Sequence, residues 1–196
     1  MFQDDQSSCA TQPPPLHESA AVGPWRQSEI LVADTESILR AALGAFLAVG
    51  AVGVLVLVCS FPLPDLMFVP SFGATATLLF ANPGSLHAQP WPAIAGNTTA
   101  AATGIIIAAV VPVPVLDMAL SVCIGLILIC ALRAFHPPAG AVAVTAVMGS
   151  GAGVLHGFQY VVLPVGVGMA LIVVIRILYA RVMSENYPIA ARKDAS

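Results

Sequence analysis

The stretch Arg133-Ala134-Phe135-His136-Pro137-Pro138-Ala139-Gly140-Ala141 holds most of the chemistry that this chain can offer. Pro137 keeps His136 out of the α region, and the two prolines suit the first turn of a helix, whose N–H groups have no intrahelical acceptor in any case. A helix is therefore expected to start at about Pro137 or Pro138. Its free first-turn donors and the positive end of its dipole favour an anion, to which His136 and Arg133 can add donors or charge. Pro70 and Ser71 open a second such helix, followed by small Gly73 and Ala74 and the hydroxyl of Thr75. Gly73 and Gly140 let a ligand or another helix come close to the backbone. The expected binding set is His136, Pro137, Pro138, Gly140, Pro70, Ser71, Gly73, Thr75 and Arg133.

Plainer roles compete for the same residues. Arg133 at a helix end can serve only as an interfacial anchor, and His136 as a structural cap or a neutral donor to a carbonyl. His87 and His156 fall in loops and are expected to be solvated, while Thr98, Thr99, Thr103 and Thr145 can bond back to their own helix carbonyls. Cys59, Cys123 and Cys130 lie in apolar stretches, where a thiol behaves as a small hydrophobe, and no C-x-x-C pair occurs. Neither H-E-x-x-H, a Walker A loop, G-x-S-x-G nor G-x-G-x-x-G is present. No enzyme, cofactor or metal is expected from this pattern.

The elements that must carry these residues are set by composition. Of 196 residues, 58% are hydrophobic and 9% charged, against roughly 25% charged in soluble domains; the mean hydropathy is +0.91. Too little polar surface remains for a water-facing globule, so an integral membrane protein is expected. A net charge of -3 supplies no basic field for nucleic acid. Crossing about 30 Å of hydrocarbon takes roughly 20 helical residues, and residues 37–60, 93–111, 115–133 and 158–183 meet that length. The fold expected is all-α and polytopic, with four long transmembrane helices and two short ones, half or re-entrant. Pro112 and Pro114 make the second and third long helices an antiparallel hairpin. Residues 1–36 read as a disordered polar tail, cytoplasmic and retained, since Asp4 and Asp5 stand where a secretory leader would be basic. Residues 184–196 read as a second polar tail.

The two short segments resemble each other: Pro70, Gly73, Ala74 and Ala76 align with Pro137, Gly140, Ala141 and Ala143, each set lying between two long helices. The chain thus reads as a duplication, residues 37–111 and 115–183. If the short segments are re-entrant, Arg133 falls outside with Asp65. If each completes a crossing, Arg26, Arg40, Arg133, Arg176, Arg181, Arg192 and Lys193 all fall inside, Asp65 and Asp117 fall outside, and the halves are inverted. Gly96, Ala100, Gly104 and Ala108 line one helix face with small residues, which suits a close helix pair within the chain or a homo-oligomer seam. Gly149, Gly151 and Gly153 read as a flexible linker.

His136-Pro137-Pro138-Ala139-Gly140-Ala141, with the upstream run from Gly73 to Ala81 and Ala88-Gln89-Pro90, resembles the HPP family of integral membrane proteins over nearly everything from Arg40 to Met183. The resemblance implies a small polytopic membrane protein, with plant chloroplast and cyanobacterial members associated with nitrite transport. Trp91 and Gly96-Asn97 stand where the family pattern often has a basic residue after Gln-Pro and a Gly-His pair. No CBS domain, carried by some bacterial relatives, is expected after Met183. The function expected is a transporter or facilitated channel for a small inorganic anion such as nitrite, bound at short-helix N-termini in a bacterial inner membrane, with both termini cytoplasmic. The alternative is an accessory or scaffold subunit of a membrane complex, in which the small-residue faces are docking surfaces.

Overall fold

The structure is a computed structural model that describes residues 35–58, 70–151 and 157–189. The chain divides into two units, Met1–Asp34 and Thr35–Ser196. The first, along with Asp65, Cys59, His17 and His156, lies outside the described residues. The expected N-terminal tail is therefore represented only by Thr35 and Glu36, which begin the first helix.

The described residues build six α-helices and no strand. Helix α1 spans Thr35–Val58, with Glu36 complementing the dipole of its first turn and pairing with Arg40 one turn on. Helix α2 spans Pro70–Ala81. A short 3₁₀ turn, Leu86–Ala88, leads to a π-helical turn, Pro92–Gly96, that runs on into α3, Asn97–Val110. Helix α4 is Leu116–Ala131 and α5 is Ala139–Gly151. A second π-helical turn, Val161–Gly166, is interrupted by extended Leu163 ahead of Pro164 and leads into α6, Val167–Val182.

Three stretches are long and apolar enough to cross a membrane: Thr35–Val58, Pro92–Val110 and Val161–Val182. The span expected at 115–133 is the exception. Val115 (φ 75°) and Arg133 (φ 51°) lie outside the right-handed helical region at its two ends, which leaves α4 with 16 residues, or about 24 Å of helix. Gly149 and Gly151, expected in a flexible linker, are helical instead, because α5 continues through Gly151; Gly153 lies outside the described residues.

Packing follows the small residues. A Cβ on Gly96 would stand 2.6 Å from the Ala134 carbonyl oxygen and 3.1 Å from Cβ of His136, and one on Gly104 would stand 2.6 Å from the Ala143 oxygen. Ala100 between them is buried. The small-residue ladder is thus filled by α5 and the approach to it, within the chain. These contacts also make α3 and α5 parallel. Gly44 of α1 faces Phe80 near the end of α2, while Gly168 of α6 faces Phe72 near its start; α2 therefore runs against α1 and alongside α6. The hairpin expected at Pro112 and Pro114 is present, with α4 packed along α3. Helix α1 packs on α2 and α6, and α4 packs on α5 and α3.

One end of the bundle is stitched by side chains. Tyr179 donates to the Arg40 carbonyl, Trp91 Nε1 to the Leu132 carbonyl, and Tyr187 to the Ala88 carbonyl. That end gathers the start of α1, the end of α2, the turn before α3, the end of α4, the approach to α5 and the end of α6. Arg40, Arg133 and Arg181 belong to it, while Asp117 opens α4 at the other end.

Candidate functional site

His136 follows the end of α4 and precedes α5 by three residues; Pro137 forbids it from continuing a helix and delivers it extended into the bundle. It is fully buried. Its Nδ1 lies 2.8 Å from the carbonyl oxygen of His87, in the turn after α2. A carbonyl only accepts, so Nδ1 carries a proton. In the neutral ring Nε2 is then an acceptor, and the Thr75 hydroxyl, 2.9 Å away on α2, donates to it. If Nε2 were also protonated, the Thr75 oxygen could turn to accept, so the pair can carry either protonation state.

Ser71, one turn earlier on α2, is likewise fully buried and donates to Asn97 Oδ1 at 2.8 Å; Asn97 Nδ2 donates back to the Ala93 carbonyl at 2.6 Å, across the π turn. Ser71, Thr75, Asn97 and His136 thus form a polar cluster in an interior otherwise built of Phe72, Ala76, Ala93, Ala139 and Val142. The sequence places a hydroxyl on the inward face of α2 at positions 71 and 75, spaced by four, so both point the same way.

The expected binding residues are only partly brought together. Thr75 and His136 meet, with Ser71 one turn before Thr75 on the same face of α2. Pro137 is exposed, Pro138 is half-buried, and Pro70 is exposed at the first position of α2. Nothing lies within 4 Å of where a Cβ on Gly73 or Gly140 would stand, so both leave open space. Gly140, His136 and Pro137, with Gly125, Ile129 and Ala100, line a cavity of about 260 Å³ between α3, α4 and α5. Gly73 and Thr77 line a separate groove of about 420 Å³ against Ala45, Val49 and Gly50 of α1. Arg133 is exposed and is not part of the cluster. The first amides of α5 are engaged, Ala139 with the His136 carbonyl and Ala141 with the Pro138 carbonyl.

Three residues escaped the sequence reading. His87, expected to be solvated, is exposed but held: its ring packs edge-on against Phe135 with centroids 4.9 Å apart, its Nδ1 lies 3.1 Å from the Phe135 carbonyl, and its own carbonyl holds His136. Asn97 had no expected role. Arg176, counted only among the basic residues at the end of the last helix, is 1% exposed. Its Nε donates to the Leu79 carbonyl at the end of α2 (2.9 Å), and Nη2 donates to Glu185 Oε2 (2.5 Å). Residues 184–189, within the expected C-terminal tail, fold back here. Tyr187 is buried over the guanidinium, 4.5 Å from its ring centroid, and burial pushes the Tyr187 hydroxyl up to about 12 against the opposing pull of Arg176. The back-bonding read for the threonines is found at Thr98, Thr103 and Thr145. Among the described residues, no cluster of His, Cys, Asp and Glu has the makings of a metal site.

Apolar helices of spanning length, with a buried polar cluster between two short ones, define a small polytopic α-helical membrane protein. The family model for the HPP transmembrane region matches residues 31–188, and the chain belongs to that family. No curated protein and no solved structure matches the chain.

Proposed function

We propose that this protein is a facilitator or secondary transporter for a small inorganic anion, with nitrite the first substrate to test. The observation that carries the reading is the cluster at the starts of α2 and α5. Polar side chains inside a membrane are costly and mark substrate or ion pathways, and here His136, paired with Thr75, lines a cavity large enough for such a solute, with Ser71, bonded to Asn97, one turn away on α2. The choice of an anion rests on the family resemblance; the first amides of α5 and both ring nitrogens of His136 already have partners within the chain, so an anion at this site would take over groups that now serve Thr75, His87 and the turn before α5. Coupling, where present, runs through His136, the titratable group of the cluster.

The topology we propose is six crossings in two inverted halves, with both termini on the cytoplasmic side. Its support is the gathering of Arg40, Arg133 and Arg181 at one end, where basic residues mark the cytoplasmic face. Further support comes from a pattern of packing that maps onto itself when the halves are exchanged, α1 with α2 and α6 becoming α4 with α5 and α3. Each third helix also begins with a π turn that ends in glycine, at Gly96 and Gly166. Purified protein in liposomes tests the function. Accelerated flux of nitrite, nitrate, formate or chloride that is lost in His136→Ala and Gly140→Leu is expected. Flux no faster than through empty liposomes, or unchanged in both variants, overturns the reading.

A further inference from the structure

Arg176 has no part in the site above, yet among the described Lys, Arg, Asp and Glu residues it is the buried one. It lies six residues before the end of α6, deep enough that a guanidinium there needs an anionic partner. Phe80 and Tyr187 flank it, with centroids 5.3 and 4.5 Å from Cζ. Nε and Nη2 are engaged with Leu79 and Glu185. Nη1 is fully buried and donates to nothing among the described residues. The outer fork of the guanidinium, Nη1 with Nη2, is therefore half used, although a fork of this kind takes two oxygens of one planar anion.

The partner that half-fills it is different in kind. The Glu185 side chain is 35% exposed and stands on a segment that leaves α6 through Ser184 at φ 55°. That segment lies across the turn before α3, where Tyr187 donates to the Ala88 carbonyl and the Ile189 amide to Gln89 Oε1. A carboxylate supplied by a surface segment can leave a buried guanidinium only in exchange for another anion, because the uncompensated charge is strongly unfavourable.

We propose that Arg176 binds a planar oxyanion in exchange for the Glu185 carboxylate, and that the exchange releases residues 184–189 from the basic end of the bundle. The proposal rests on the anion-transport reading and adds to it a second binding residue, a preference for two-oxygen anions and a gate. The ligand class is nitrite, nitrate or formate, each able to present two oxygens to the fork, over spherical chloride.

The test uses the full chain in nanodiscs, with thermal stabilisation titrated by sodium nitrite, nitrate, formate and chloride against gluconate at fixed ionic strength. The oxyanions are expected to stabilise the protein more than chloride does. In Glu185→Gln the half-saturating oxyanion concentration is expected to fall roughly tenfold, the scale of one weakened charge-assisted hydrogen bond. Arg176→Lys, which keeps the charge but not the fork, is expected to lose the preference for oxyanions over chloride. An unchanged half-saturating concentration in Glu185→Gln, or oxyanions no more stabilising than chloride, overturns the proposal; should Arg176→Lys fail to fold, Glu185→Gln still decides. Wild-type flux in liposomes with no difference in Glu185→Gln removes the exchange and leaves the transport reading standing. Oxyanion stabilisation without flux removes the transport reading and leaves the Arg176 site.

Discussion

Gly104→Ala against Gly50→Ala isolates the contact that holds α5, and with it His136, in place. Both glycines lie in helix interiors, so each substitution gains about 1 kcal/mol of helix propensity. Only one of them meets an obstacle. The Cβ added at position 104 stands 2.6 Å from the Ala143 carbonyl oxygen and 2.7 Å from Cβ of Ala146, whereas nothing lies within 4 Å of the one added at position 50. Neither obstacle can rotate away, since one is backbone and the other has no χ angle. Restoring ordinary contact at 3.4 Å requires α3 and α5 to separate by about 0.8 Å, and overpacking of this kind costs about 1–3 kcal/mol. Because the propensity gain is common to both, the difference between the two variants is expected to be that same 1–3 kcal/mol, with Gly104→Ala the less stable. Unfolding by heat or by titrated detergent in reconstituted samples measures the difference. Gly104→Ala as stable as Gly50→Ala would refute the close α3–α5 contact and the placement of His136 that depends on it.

Reporter fusions at Ser85 and Gly151 are expected to report opposite sides of the membrane, and both on one side would restore the re-entrant scheme. Thr75→Val leaves Nε2 of the neutral His136 unpaired and is expected to cost about 1–3 kcal/mol, the penalty of an unsatisfied buried polar group, measured by the same unfolding assay; no loss would mean that the pair is not formed. Tyr187 gives a pH dependence. Burial raises its pKa from 10.0 to about 12, so its neutral form is favoured in the folded chain; the stability this contributes is intact below pH 10 and is lost as pH rises from 10 to about 12. Melting temperatures across that range should fall more steeply in the wild type than in Tyr187→Phe, and parallel curves would count against the buried hydroxyl.

Much of the scaffold was legible because a bilayer enforces simple rules. Apolar length marked the spans, Pro112 and Pro114 marked the hairpin, and the two short segments at Pro70 and Pro137 stood out because proline can begin a helix more readily than continue one. The length of α4 was not legible. Positive φ at Val115 and Arg133 comes from how the chain turns at either end, and neither residue type announces it. The polar cluster was half legible. Ser71, Thr75 and His136 could be picked out, but the pairing of Thr75 with a side chain 61 residues away is settled by tertiary packing. The other partner of His136 is the backbone of His87, which carries no sequence signal. Arg176 was legible in principle: Ile177, Leu178, Tyr179 and Ala180 follow it, placing it at least one turn deeper than Arg181, where an arginine needs a reason that an interfacial anchor does not.

The hydrogen bonds of His136 tie separate parts of the bundle together. It leads into α5, which the proposed duplication puts in the second half, yet both its partners, Thr75 and His87, come from the first. The stripe from Gly96 to Gly104 likewise seats α5 against α3 of the first half. In the proposed two-half scheme, movement of one half against the other would therefore act on His136 directly, either breaking its two bonds or carrying α5 along with α2 and α3. Arg176 is the counterpart, a residue of the second half bonded to the end of α2 in the first. A chain with so few charges has placed its buried cation and its buried imidazole at two of the contacts that join its earlier helices to its later ones, so that on the proposed reading a proton or an anion arriving at either one would act on those contacts.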